Sequence, residues 1–541
     1  MKPTYIQTLY KASLWILIPA LLGLNACTKK FESYNTDNTA VNMDLASCFK
    51  HAQMAIYNFS GGGDPNSFQL QQNLNADCFS GYMMAANPFA GGNNNLNYSL
   101  IAGWNGEPFK VVYLDVLAYI NQVQSFGVDK QYPPMWAVAQ VIRVAGMSRV
   151  TDIYGPVPYS KAGSAKTGVP YDAQKDIYTS FFNDLDAAAN TLRTFIASGQ
   201  TLPVSFASMD LVYNGNFSQW LKFTNSLRLR LAMRIVKIDP GTAQTQAEKA
   251  MDPANGGIIT DNTGNMNIKV SGAGFTNPLV FIAQNWSDIN IGASIQAYML
   301  GYNDPRVPKY FDKSTDASFP AQYVGIRIGT ATAVKSNYQT YSTINFKDGA
   351  TPSFNLTTSV QLMTAAEVYF LRAEAALRNW NNVGGTPQSL YEQGINTSLA
   401  QWNAASANYI NDNTSTPAAY TDPRNAANND TALSTIKIKW DNTLGDEQKL
   451  EKIITQKWIA MFPEGQEAWT EFRRTGYPKL FPVVNNNSGN TIDTKIQIRR
   501  LPFPQNEYNT NSVEVNKAIQ LLGGLDNGGT RVWWDVNKGN F

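Results

Sequence analysis

The chain contains one histidine, His51, and three cysteines, Cys27, Cys48 and Cys78, among 541 residues. So little histidine removes most nucleophile–base schemes and most zinc sites, because both lean on imidazole. His51 falls in a helix predicted over 44–58, where a structural role is the simpler reading. Cys48 and Cys78 could pair in an oxidising compartment, but their spacing does not say whether the geometry allows it. Charge is scarce too. Asp, Glu, Lys and Arg make up 16% of the chain, against about a quarter in ordinary globular proteins. Asn, Thr, Ser, Gln and Tyr fill the gap and predict a surface rich in neutral hydrogen-bonding groups. The net charge is only +2, with no basic block or stripe. That argues against nucleic acid, which demands clustered Lys and Arg against phosphates. Beyond the N-terminal region, no stretch is long and apolar enough to span a bilayer.

What is present starts at the N-terminus. Lys2 and Lys11 precede an apolar run that begins near Ala12. A basic segment, a short apolar segment and small residues before a cut site make a secretory signal. The run is too short for an ordinary membrane span, and Pro19 sits inside it. It closes on Leu24-Asn25-Ala26-Cys27, the lipobox arrangement of bacterial lipoproteins, with Asn25 its one unusual residue. The expectation is a signal peptide over 1–26, an acylated Cys27, a polar tether over 27–43 and a single domain over 44–541. Residues 1–26 carry two lysines and no acid, so the mature chain is close to neutral. Lipidation would hold a water-soluble body at a membrane.

The hydrophobic share of 43% and the aromatic share of 12% suit a large globular core. Helical periodicity is strongest from Leu362 to Trp380, where Leu362, Ala366, Tyr369, Phe370, Ala373, Leu377 and Trp380 share a stripe. Glu367, Glu374 and Arg378 are predicted on the outer face. Gly384-Gly385 breaks the pattern, and a second helix follows from Gln388 to Ala400, a helix–turn–helix of the tetratricopeptide type. Further amphipathic helices are predicted over Met135–Ile153, Ala173–Ile196, Phe217–Ile238, Leu450–Phe462 and Gln466–Arg474. The fold class is therefore predominantly α, with a repeat frame mainly over 107–240 and 360–475 and a few short strands. Loop-rich parts over 60–103, 240–360 and 476–541 are where binding is expected.

Several strings, taken in order, point to a family. They include Asp152-Ile153-Tyr154-Gly155-Pro156-Val157-Pro158-Tyr159, Trp220-Leu221-Lys222-Phe223 and Asn303-Asp304-Pro305-Arg306. Later come Ala366-Glu367-Val368-Tyr369-Phe370-Leu371-Arg372-Ala373-Glu374-Ala375, Glu471-Phe472-Arg473-Arg474-Thr475-Gly476-Tyr477-Pro478 and Arg499-Arg500-Leu501-Pro502-Phe503-Pro504. Together, behind a lipobox, they resemble the SusD/RagB family of outer-membrane lipoproteins. One departure is Asn214-Gly215-Asn216, where the family pattern has Gly-Asp. Locally, these motifs read as framework. Gly155, Pro156 and Pro158 stop a helix, Asp152 could cap or pair with Arg149 or Arg143, and Arg473 and Arg474 suit carboxylates and carbonyls between helices. Trp533-Trp534-Asp535 is expected to pack against the frame.

The resemblance implies a cell-surface binding protein without catalysis. Its ligand would be an oligosaccharide or a peptide, and its partner a SusC-like TonB-dependent transporter, met through a broad contact on the repeat side. Sugar recognition needs aromatic faces and planar amide, carboxylate or guanidinium groups. On that basis the candidate ligand residues are Phe79, Tyr82, Phe89, Asn93 and Asn94 in one loop region, with Asn95 beside them. In the other they are Trp286, Asp288, Asn290, Tyr323 and Tyr338. Trp104 precedes the apolar run Val111–Ile120 and is expected in the core. No cofactor is expected. Calcium needs clustered oxygens, which Asp261, Asn262 and Asn265 could offer. A two-carboxylate glycoside hydrolase is the enzymatic alternative, with Asp288, Asp304, or Glu464 and Glu467 in the roles. A repeat-type scaffold or adhesin without a small-molecule site is the other.

Overall fold

The computed structural model describes residues 44–57, 64–163, 168–271 and 274–541. The signal, Cys27 and the tether lie outside the described residues. The fold described is that of the unit Cys48–Phe541. It is predominantly helical, and tetratricopeptide-like helix pairs form its frame. The main helices are α1 (Pro133–Tyr154), α2 (Gln174–Ser198), α3 (Phe217–Arg234), α4 (Pro240–Met251), α5 (Ala365–Leu377), α6 (Pro387–Gln401), α7 (Asp446–Met461) and α8 (Gly465–Thr475). Successive helices pack pairwise from α1 to α4, α5 packs on α6 and α7, and α3 meets α5. Four short strands, β1 (Met83–Met84), β2 (Met266–Ile268), β3 (Asn290–Ile291) and β4 (Val360–Met363), form two antiparallel ribbons, β1 with β3 and β2 with β4. Among the described residues, no helix is long and apolar enough to cross a membrane.

Local chemistry sets the helix ends. Asn216 Oδ1 accepts from Gln219 N at 3.1 Å and starts α3. Thr364 Oγ1 accepts from Glu367 N at 3.2 Å and starts α5. Thr386 and Ser389 cap α6 reciprocally, with Pro387 in its first turn; such caps satisfy amides that have no partner within the helix. The Thr364 cap also explains why Leu362 belongs to β4 and not to the helix. Between α5 and α6, Gly394 permits close approach, since a Cβ there would stand 2.8 Å from the Phe370 ring.

Glu367 and Glu374 are buried, each 1% exposed, which corrects their predicted outer position. The cause is a charged layer where α1, α3, α5, α7 and α8 converge. Arg230 holds Glu367 through Nε and Nη2, at 2.7 and 2.6 Å. Arg234 reaches Glu467 at 2.6 Å, Glu471 at 2.7 Å and Asp152 at 3.3 Å. Arg474 spans Glu374 and Glu471 at 2.6 and 2.7 Å, Lys457 stands 3.2 Å from Glu471, and Arg378 joins Glu374 at 2.8 Å. The carboxylates Asp152, Glu367, Glu374, Glu467 and Glu471 thus face Arg230, Arg234, Arg378, Lys457 and Arg474 in balance. Burial alone would raise the Glu471 carboxyl, but Arg474, Lys457 and Arg234 together hold it well below its ordinary value. Asp152 pairs with Arg234 and accepts from Tyr178 and Trp534 at 2.6 and 2.8 Å, instead of serving Arg149 or Arg143. Arg473 donates to the carbonyls of Asp152 and Arg499, and Asp535 pairs with Arg499 at 2.6 Å. The C-terminal Trp-Trp-Asp is therefore bolted to the frame.

Candidate functional site

The two loop regions singled out by composition meet along the β1–β3 ribbon, where Met83 faces Ile291 and Met84 faces Asn290. Gly292 makes this approach possible. Its amide donates to Tyr82 O at 2.7 Å, and a Cβ on it would stand 2.3 Å from Gly81 O. Ile291 N also donates to Ser342 O at 2.9 Å, which draws the 330–345 segment to the same place.

Asp288 is the hub of the assembled face. It is 7% exposed, and its carboxylate receives Lys335 Nζ at 2.7 Å, Asn87 Nδ2 at 3.1 Å and Gln69 Nε2 at 3.4 Å. Lys335 also donates to the carbonyl of Trp286. One carboxylate thereby ties together four segments that are distant in sequence, and Lys335 cancels its charge. One π-helical stretch, Gln69–Ala76, begins here with Gln69, and another, Ile282–Trp286, ends here with Trp286.

Close along the chain to the hub contacts of Asn87 and Trp286 stand partly exposed aromatics. Phe89 and Trp104 meet edge to face with centroids 6.0 Å apart, and Phe281 meets Trp286 in the same manner at 5.5 Å. The residues immediately after Phe89 and Trp286 hold left-handed backbone conformations, Ala90 at φ 52° and Ser287 at φ 50°. That conformation costs a non-glycine residue about 1 kcal/mol or more, so both aromatics are presented at some cost. Asn93 is exposed and accepts from Asn487 Nδ2 at 2.8 Å. The helix bearing Trp104, Ala102–Val111, also lines a cleft of about 700 Å³ with Gly103, Gly106, Phe109 and Lys110.

Of the sequence candidates, Trp286 and Asp288 stand at the hub, with Asp288 turned inward as an organiser; Phe89 follows two residues after Asn87 and is partly exposed, and Asn93 is exposed beside Asn487. Five others lie inside the protein. Phe79, 2% exposed, packs on Trp469. Tyr82 is fully buried against Trp458 and Phe462 and donates to the carbonyl of Trp458. Asn290, 2% exposed, donates to Tyr341 O at 3.1 Å. Tyr338 is buried beside Asp422, and burial, helped by that carboxylate, pushes its phenol up to about 12. Asn94 is buried too and caps the 95–97 turn through Leu96 N at 2.9 Å; Asn95 bonds Asn75 and Asn105. Tyr323 lies under Lys313, its phenol raised by burial and by Asp348 and Asp312, and no contact links it to the hub. Sequence reading missed Trp104, Lys335, Asn87 and Gln69. Only Trp104 carried a sign, since Gly103, Gly106 and Glu107 surround it instead of the apolar neighbours of a core position.

Other candidates are committed elsewhere. Asp304 pairs with Arg306 at 2.6 Å, Glu464 with Arg149 at 2.9 Å, and Glu467 lies in the charged layer. Asp261 caps the Asn262–Gly264 turn, Asn262 donates to Thr397 O at 3.0 Å, and Asn265 accepts from Ala365 N at 2.7 Å. Among the described residues, no group of three or more His, Cys, Asp and Glu side chains gathers as a metal site. His51 bonds Asp115 at 2.9 Å and stacks on Tyr119. Cys48 and Cys78 are buried and are not bonded to each other.

Comparison with known proteins places these features in context. The family model described as SusD and RagB outer membrane lipoprotein matches residues 25–535. Among solved structures, a chitin-binding SusD homologue from Flavobacterium johnsoniae is 43% identical, with a TM-score of 0.86, over 92% of this chain and 100% of that one. A SusD homologue from Bacteroides vulgatus is 38% identical, with a TM-score of 0.85, over 92% of this chain and 98% of that one. A SusD homologue from Bacteroides uniformis is 36% identical, with a TM-score of 0.82, over 91% of this chain and 99% of that one. No curated protein matches.

Proposed function

This chain belongs to the SusD and RagB family of outer membrane lipoproteins, and from that premise we propose that it captures a neutral glycan at the Asp288-centred face. The observation that carries the reading is the pairing of partly exposed aromatics, Phe89 with Trp104 and Phe281 with Trp286, around a carboxylate already neutralised by Lys335. Such a face offers apolar surface to the C–H side of sugar rings and amides to their hydroxyls, with no net charge to attract an ionic ligand. The relative from Flavobacterium johnsoniae is a chitin-binding protein, so N-acetylglucosamine oligomers are the first ligand to try. The reading is of a binder and not a hydrolase, and it is supported by the ion pairs that hold Asp288, Asp304, Glu464 and Glu467, the carboxylates considered for glycosidase roles. Acylated Cys27 anchors it to the outer membrane facing outward, and a SusC-like TonB-dependent transporter takes the captured glycan.

The test is calorimetric titration of the purified full chain in detergent with chitohexaose, maltohexaose and a neutral peptide, with the sugars recovered and sized afterwards. Saturable binding of one glycan, recovered intact, is the expected result. Shortened sugars would establish catalysis, and binding of the peptide alone would replace the glycan reading. Co-purification of a barrel with the tagged chain from its native membrane tests the transporter.

A further inference from the structure

A second cavity shares no lining residue with the Asp288 face. Its volume is about 160 Å³, and it lies beside the β2–β4 ribbon and the C-terminal end of α6. That is below the roughly 300 Å³ at which drug-sized sites begin, which limits an occupant to about one ring. Among the described residues, no charged side chain lines it. Trp402 and Phe354 supply aromatic surface, with ring centroids 5.5 Å apart. Asn267, Asn277, Gln361 and Gln401 supply planar amides.

The hydrogen bonding is lopsided. Gln401 Nε2 donates to Gln361 Oε1 at 2.6 Å, and Gln361 Nε2 donates to Met461 O at 3.1 Å, so this amide pair is held rigidly. The Trp402 Nε1–H is buried with no acceptor. The Asn267 amide and the Ser353 and Ser359 hydroxyls, which also line the cavity, have no side-chain partner among the described residues. A buried donor without an acceptor costs about 1–3 kcal/mol, and native proteins leave few of them. Fixed amides beside unspent donors and acceptors, an aromatic wall and no charge together match a polyhydroxylated neutral ring.

We infer that this cavity is a second, independent binding site for a single neutral sugar ring, with Trp402 Nε1–H as a donor to the ligand and Asn267 as its amide partner. The inference does not require the Asp288 face to bind anything. A carboxylate-bearing sugar is excluded from it, because no cation in the lining would compensate the buried charge.

The test uses the full chain in detergent and saturation-transfer NMR titrations with N-acetylglucosamine, glucose and glucuronate. Four proteins are compared: wild type, Trp402→Phe, Asn267→Ala and the double variant Phe89→Ala/Trp286→Ala. Trp402→Phe keeps an aromatic ring and removes only the indole donor. The expected result is saturable binding of a neutral sugar in wild type and in the Phe89/Trp286 variant alike, at least fivefold weaker in Trp402→Phe and in Asn267→Ala. Glucuronate should not bind. No neutral-sugar binding in wild type, binding lost with Phe89 and Trp286 but unmoved by Trp402→Phe, or equal binding of glucuronate would each overturn the inference. Loss confined to the Phe89/Trp286 variant would leave the glycan-capture reading standing while removing this one.

Discussion

The helical frame and the Asp288 face use opposite chemistry. In the frame, full charges are buried and matched: Arg234 alone meets Glu467, Glu471 and Asp152, and its side chain is fully buried. On the face, a single charged pair, Asp288 with Lys335, organises neutral amides and half-exposed aromatics. Buried ion pairs contribute little net stability over an apolar core but are costly to break, because the survivor is left unpaired. They fix which helices meet. The face needs the reverse, an uncharged surface whose polar groups are still available to a ligand. A chain with only 16% charged residues concentrates many of them where they define the frame and leaves the Asp288 hub with one mutually neutralised pair.

Breaking the frame should have the largest effect. Arg234→Met leaves Asp152 without its ion-pair partner and takes the nearest cation from Glu467 and one of three from Glu471, and it is expected to cost about 3–5 kcal/mol in denaturant unfolding, with glycan affinity unchanged per folded molecule. A shift under about 1 kcal/mol would mean that the layer adds no coherence.

Asp77 sharpens the contrast, since it is a buried carboxyl without an ion-pair partner of its own. It receives only Gln72 and Asn73, at 3.1 and 2.7 Å. Burial, offset by those bonds and reinforced by Glu464, raises it from 3.8 to about 7. A carboxyl raised on folding adds stability that is fully present below about pH 4 and lost as the pH climbs to about 7, a contribution of at most about 4 kcal/mol. Asp77→Asn should therefore gain on wild type between pH 4 and 7 when unfolding is followed across that range. Parallel curves would remove Asp77 from the account.

On the face, effects should appear in binding and not in folding. Trp286→Ala is expected to weaken glycan binding about tenfold, or about 1.4 kcal/mol, with a thermal midpoint close to wild type. Asn93→Ala should be smallest, a two- to threefold loss read by the same titration, because the residue is exposed and contributes at most one hydrogen bond.

Helices were legible because their information is local. The 3–4 spacing of Tyr178, Phe181, Phe182 and Leu185 sits in α2 as expected, and Gly155 with its two prolines ends α1 at Tyr154. The family strings mapped to framework: Arg473 binds backbone carbonyls and Arg474 holds carboxylates, as their type suggested. What periodicity misjudged was the environment of Glu367 and Glu374. A glutamate on the polar side of a stripe reads as solvated unless its partner is known, and Arg230 and Arg474 lie 137 and 100 residues away. The binding face was harder still. Composition picked two loop regions that the β1–β3 ribbon brings together, but could not separate the partly exposed Phe89 from the buried Phe79 or Trp286 from Tyr338. That distinction depends on the β1–β3 register and on Lys335 reaching Asp288, both of which are long-range.

The measurement that bears most directly on the central claim is one calorimetric comparison: chitohexaose titrated into the wild-type full chain and into Phe89→Ala/Trp286→Ala, with thermal unfolding of both. The account expects saturable binding in wild type, at least a tenfold loss in the variant and midpoints that nearly coincide. Equal affinity in the two proteins at equal stability would contradict it and move the recognition surface away from Asp288.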